Sequence, residues 1–170
     1  MSFQRPPGAG RLLRLLGVIM ATILFVLMLV TFVDVIGRYL FSLPLPGAFE
    51  LTQILMAVLI FSGLPLVCAE DANIRVDIVH GSLSPRSRRM LDVFNHLVST
   101  VALTVLAWQL LVKANATLAA GDLSMYLGLP MYPVVYLMFV LTVLAALFTA
   151  MHLVASMRRV RDAAPESLGA

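Results

Sequence analysis

Charge is scarce in this chain: Asp, Glu, Lys and Arg make up 12% of the 170 residues, about half the share in a soluble domain. The scarcity is concentrated. Between Leu15 and Val33 none of the four occurs, and the same holds from Leu51 to Ala69, from Val93 to Val112 and from Leu123 to Met157. Four such segments leave almost no polar residues to face water, which excludes a soluble globular domain. Cysteine is nearly absent as well, and Cys68 alone permits no intramolecular disulfide. No internal repeat, phosphate-cradling glycine loop or nucleophile with a base beside it occurs, so no catalytic, cofactor-binding or metal-ligating residue is assigned and no enzyme is expected. Nor does any charge lie near the middle of a window, where ion or proton translocation needs an ionisable side chain or an interrupted helix. The chain by itself therefore offers no transport path.

What is present is oil-soluble: 61% hydrophobic residues and a mean hydropathy of +0.97. About 20 apolar residues at roughly 1.5 Å of rise cross the roughly 30 Å of bilayer hydrocarbon as a helix. A barrel would instead show short alternating segments. The expected fold is an all-α membrane protein of four transmembrane helices, at about 12–37, 49–69, 90–113 and 132–157. Residues 1–170 read as one membrane domain, with 1–10 and 161–170 as flexible ends. The first window is longer than a signal-peptide core, and Asp34 and Arg38 follow it where a small-x-small cleavage site would stand, so it is read as a permanent helix.

Orientation follows from the cations, because cytoplasmic loops retain Lys and Arg during insertion. Arg5, Arg11 and Arg14 precede the first helix; Arg75, Arg86, Arg88 and Arg89 lie between the second and third; Arg158, Arg159 and Arg161 follow the fourth. Only Arg38 and Lys113 fall on the opposite side. Both termini and the middle loop are thus expected in the cytoplasm. The net charge of +3 describes basic segments attractive to anionic lipid and gives no reason to invoke nucleic acid.

The charges nearest the membrane are the candidate site residues. Asp34 and Arg38 stand at i and i+4 with the acid first, the favourable order for a helical pair. Glu50 follows the turn Ser42-Leu43-Pro44-Leu45-Pro46-Gly47, in which two prolines stop the first helix and a glycine permits the reversal. Arg38 is therefore within reach of either acid, whether to lock the hairpin or to meet a partner. In the middle loop, polar and apolar residues alternate from Asn73 to Ile78, the pattern of a segment lying flat at the interface, with Asp77 beside Arg75. Ser84-Pro85 then opens the third helix as a basic amphipathic lead-in. Short interfacial segments are expected there and around the outer loops. Asn115-Ala116-Thr117 fits a glycosylation sequon, a three-residue match common by chance.

His96 and His152 lie at similar distances from the cytoplasmic ends of the third and fourth helices. Two histidines at one depth on neighbouring helices are a possible axial pair for haem, so a haem-bearing membrane anchor of a redox complex stands as the alternative function. Ala146 and Ala150 offer small-xxx-small spacing for close approach of the fourth helix to a neighbour.

The order of these features carries a resemblance. Arg38-Tyr39-Leu40-Phe41-Ser42-Leu43-Pro44-Leu45-Pro46-Gly47 leading to Glu50-Leu51, then Asn73-Ile74-Arg75-Val76-Asp77, then Gly128-Leu129-Pro130 before the last helix, resembles the small membrane subunit of tripartite ATP-independent periplasmic (TRAP) transporters, the DctQ-like family. It runs from about Arg11 to about Arg159, and Arg38, Glu50 and Asp77 match the pattern; Asn73 stands where the family often has His. The resemblance implies a non-catalytic part of a sodium-coupled importer of organic acids such as dicarboxylates in the bacterial inner membrane. Its implied partners are a large membrane subunit, for which this chain is a scaffold, and a periplasmic substrate-binding protein, with membrane lipid around it. Asp34, Arg38, Glu50, Asn73 and Asp77 are then expected to be structural or to contact those partners.

Overall fold

The structure, a computed structural model, describes residues 9–43, 45–69 and 85–162. Four helices make it up: α1 (Ala9–Leu40), α2 (Ala48–Ala69), α3 (Pro85–Ala120) and α4 (Tyr132–Asp162). Each is long and apolar enough to cross a membrane, and among the described residues there is no strand, only an isolated antiparallel bridge between Leu123 and Pro130. The chain is a multi-pass α-helical membrane protein. The middle loop with Asn73 and Asp77 lies outside the described residues.

The helices outrun the apolar windows because backbone hydrogen bonding does not stop at the first charge. α3 is the clearest case. It passes Lys113, continues through the alanine-rich stretch Asn115–Ala120, and ends at Gly121 in the left-handed region (φ 64°). There Asp122 N–H donates to Thr117 O at 3.2 Å and Gly121 N–H to Leu118 O at 3.3 Å, the paired bonds of a Schellman cap. Alanine has the best helix propensity, and a glycine at this cap carries no Cβ penalty.

The turn between α1 and α2 is built differently. Leu43 N–H returns to Gly37 O at 2.9 Å, and Ser42 takes a positive φ of 52° to allow it. Gly37 is needed there, since a Cβ would lie 2.7 Å from Leu43 O. Gly47 (φ 78°) then caps α2, whose first helical bond is Leu51 N–H to Gly47 O at 3.0 Å.

The helices pack as an open row and not as a closed bundle. α1 lies on α2, α2 on α4 and α4 on α3, while the remaining pairs scarcely touch. α4 is accordingly the central helix, with 28% of its apolar window buried, and α1 the peripheral one, with 6%. The buried face of α4 is Leu141, Thr142, Ala145, Phe148 and Thr149, a three-and-four spacing that puts them on one side. α3 supplies Ala107 and Ala114, seven residues apart. Small side chains let helices in lipid approach closely, where dispersion contacts replace the missing hydrophobic drive. The positions that close are Thr142, Ala145 and Thr149, whereas Ala146 and Ala150 are only half-buried. Thr142 and Thr149 stay satisfied in this apolar setting by donating to Met138 O at 2.8 Å and Ala145 O at 3.0 Å, one turn back. Towards the end carrying the chain termini, Leu13, Cys68, Ala69, Ala145 and Phe148 form one cluster, in which Cys68 is a packing residue.

Candidate functional site

The sequence-predicted residues that the structure describes gather at the opposite end, where the α1–α2 and α3–α4 loops lie side by side. Two carboxylates organise this loop end, and they do so separately. Asp34 stands one turn before Arg38 on α1, so its Oδ2 accepts from the Arg38 guanidinium at 2.9 Å, while Oδ1 accepts Leu45 N–H at 3.0 Å across the turn. The Arg38 side chain is 60% exposed and that of Asp34 17%. Asp34 is the structural half of the pair, fastening the last turn of α1 to the strand of loop that follows it, while Arg38 offers its remaining donors outward.

Glu50 makes a different set of bonds. It occupies the first turn of α2, and its side chain crosses to the α3–α4 loop, where Ser124 Oγ donates at 2.7 Å, Tyr126 N–H at 3.0 Å and Leu127 N–H at 3.2 Å. Arg38 is therefore the partner of Asp34 and not of Glu50. Helical spacing brings the first pair together, whereas the α2 axis aims Glu50 at a loop more than seventy residues away. Glu50 is buried under that loop, and the consecutive amides of Tyr126 and Leu127 form a concave donor set of the kind that holds anions. The loop is shaped for the task by its own bonds. Ser124 N–H donates to Leu129 O at 2.9 Å, Gly128 N–H (φ 60°) to Ser124 O at 3.2 Å, and Met131 N–H to Asp122 O at 3.1 Å. Gly47 completes the junction: Leu127 packs so near that a Cβ on Gly47 would meet it at 3.0 Å.

Ser124, Tyr126 and Leu127 went unrecognised in the sequence because two of them act through backbone amides, which any residue supplies. The available signal was the pair of glycines, Gly121 and Gly128, which mark a shaped loop and not a slack one. Tyr136 was missed too. Its hydroxyl donates to Asn115 Oδ1 at 2.6 Å, joining the extended end of α3 to α4 and occupying the asparagine of the sequon match.

The histidines at the other end of the span come together. The rings of His96 and His152 have centroids 6.0 Å apart and planes inclined by 21°, so α3 and α4 bring them to one depth. Among the described residues no three His, Cys, Asp or Glu side chains cluster as a metal site. A groove of about 310 Å³ opens over α4 between α2 and α3 near the loop end; Ile54, Ala57, Val134 and Val135 line it.

Chemically, the loop end is a clamp. Both carboxylates have their oxygens engaged by donors of the same chain, so their negative charge holds two hairpins in register and has little left for a solute. A constellation of this kind fits a part that must keep its shape.

Residues 27–159 match the family described as tripartite ATP-independent periplasmic transporters, DctQ component. No curated protein matches the chain. The matched stretch takes in Asp34, Arg38, Glu50 and the loop that Glu50 holds, together with the second half of α1, all of α2 and α3 and most of α4. It is a transport family, and the haem-anchor alternative loses its ground. The chain belongs to the DctQ family, the small membrane subunit of TRAP transporters.

Proposed function

We propose that this subunit is the fixed scaffold of a sodium-coupled importer of organic acids such as dicarboxylates, and that it is not itself an enzyme. Its partners are a large membrane subunit, which binds substrate and sodium, and a periplasmic protein that captures the substrate. It sits in a bacterial inner membrane with both termini and the middle loop cytoplasmic, as the distribution of Lys and Arg supports. The loop end then faces the periplasm.

One observation carries this reading: the membrane-spanning part holds no ionisable group at mid-depth, and Asp34 and Glu50 at its edge are consumed by Arg38, Leu45, Ser124, Tyr126 and Leu127. Such a body has no ionisable group at mid-depth with which to coordinate an anion or sodium, yet an open row of four apolar helices has broad faces to bury on another membrane protein. Asp34, Arg38 and Glu50 serve as structural residues of the periplasmic hairpins, and Asn73 and Asp77 as contacts of the cytoplasmic loop. Co-expression with the large membrane subunit tests this: the two should co-purify, and uptake in vesicles should stop when this chain is left out. Full transport by the large subunit alone, or transport by this chain alone, sinks the scaffold role.

A further inference from the structure

The α3–α4 loop closes on itself. Gly121 N–H and Asp122 N–H cap α3, and Leu123 and Pro130 form an antiparallel bridge. Ser124 N–H reaches Leu129 O at 2.9 Å, Met131 N–H reaches Asp122 O at 3.1 Å, and Gly128 N–H, in left-handed backbone, reaches Ser124 O at 3.2 Å. Every one of these bonds joins residues 117–131 to one another, so the shape of the loop does not depend on the α1–α2 hairpin.

That scheme leaves three donors over: Ser124 Oγ, Tyr126 N–H and Leu127 N–H. All three are spent on one group, the Glu50 carboxylate. Ser124 Oγ donates to Oε2 at 2.7 Å, Leu127 N–H to Oε2 at 3.2 Å, and Tyr126 N–H lies 3.0 Å from Oε1 and 3.2 Å from Oε2. Three hydrogens thus converge on two oxygens. A carboxylate is acceptor-only and meets them all, whereas a carboxamide has to turn its own hydrogens toward a donor. The place is enclosed, with Ser124 7% and Glu50 9% exposed, so donors left there without an acceptor are costly and an anion that satisfies them is retained. Beyond its Cβ, the Glu50 side chain is a methylene and a carboxylate, which are the atoms of acetate less one hydrogen.

We propose that the α3–α4 loop is a preformed receptor for a small aliphatic carboxylate, that Glu50 occupies it as a tethered ligand, and that it takes up free acetate once that side chain is removed. The α1–α2 hairpin is then fastened at this end as a ligand is held by its receptor, and not by a loop that wraps to fit it. This inference stands apart from the scaffold reading, and neither outcome below bears on whether a large subunit binds.

The test compares the full chain with Glu50→Ala in detergent at neutral pH, with sodium acetate replacing sodium chloride at constant ionic strength. In chloride, the Tyr126 and Leu127 amides of Glu50→Ala should exchange several-fold faster than those of the unaltered chain. Acetate should restore most of that protection with a saturating concentration dependence, and succinate should do so less well, since it brings a second charge into an enclosed place. The unaltered chain and Glu50→Gln, whose side chains fill the site, should not respond. Adding Ser124→Ala to Glu50→Ala should raise the acetate midpoint several-fold, because it deletes one donor and keeps both amides. Absence of a saturable difference between acetate and chloride in Glu50→Ala overturns the proposal, as does an equal response in the unaltered chain or Glu50→Gln, or a midpoint indifferent to Ser124→Ala. If Glu50→Ala is not recovered folded in chloride, its recovery in acetate becomes the readout, and equal loss in both salts overturns the proposal.

Discussion

α1 and α4 are both long, apolar helices that cross a membrane, and they do opposite jobs. The apolar window of α1 is 6% buried and that of α4 is 28% buried. α1 has large aliphatic and aromatic residues around most of its circumference, such as Val18, Leu24, Phe25 and Phe32. α4 has one face of small and β-branched residues, Thr142, Ala145 and Thr149, that disappears against its neighbours. The difference teaches that greasiness decides whether a helix enters the bilayer, while small side chains decide which helix becomes the centre. Lipid is as good a neighbour for leucine as another leucine is, so bulk apolar residues carry little preference for protein over bilayer.

The comparison breaks most sharply at the buried face of α4. Ala145→Leu forces a branched chain of further carbons into a site with no free surface, and should cost about 1–3 kcal/mol. It should lower the melting temperature in detergent and loosen α3 from α4, which cysteine pairs placed across the two helices would detect. An equal melting temperature would show that the row is less closely packed than Thr142 and Ala145 indicate.

Glu50→Ala is next. It leaves Ser124 Oγ and two loop amides without their acceptor. Hydrogen exchange at Tyr126 and Leu127 should accelerate and protease should cut the α3–α4 loop several-fold faster, with the helices intact. Arg38→Glu paired with Glu50→Arg should give no rescue, because those two residues are not partners; restored protection would contradict the geometry.

Gly47→Ala should cost about 1–2 kcal/mol for the left-handed backbone. Leu127→Ala in the same chain should recover part of that loss, the part due to contact, and leave the backbone part standing. Arg38→Ala ranks lower, at under about 1 kcal/mol, since its ion pair with Asp34 is largely solvent-exposed on the arginine side. Smallest of all should be Phe25→Leu on the outward face of α1, within about 0.5 kcal/mol of no change by thermal melting. A large effect there would mean that α1 is not the peripheral helix in the isolated chain.

Much of the site was legible only in outline. Asp34 and Arg38 could be paired from their spacing, because a helix fixes which residues share a face four positions apart. The destination of Glu50 could not. Its partners are a hydroxyl and two main-chain amides on a loop contributed by another hairpin, and backbone donors leave no mark on composition. The end of α3 was obscured for a related reason: hydropathy falls at Lys113, but the helix is sustained by alanine propensity and terminated by the Gly121 cap, neither of which depends on apolarity.

Sequence by itself determined the solvent, the number of crossings and the class of the fold, because four uncharged windows can satisfy their backbone in oil only as helices. The order α1, α2, α4, α3 across the row was decided by tertiary structure alone, as were the central place of α4 and the clamp that Glu50 forms. The physical reason is directional: helices apolar on all sides carry no stripe that says which face turns inward, so side-chain volume and hydrogen-bond reach in three dimensions make the choice.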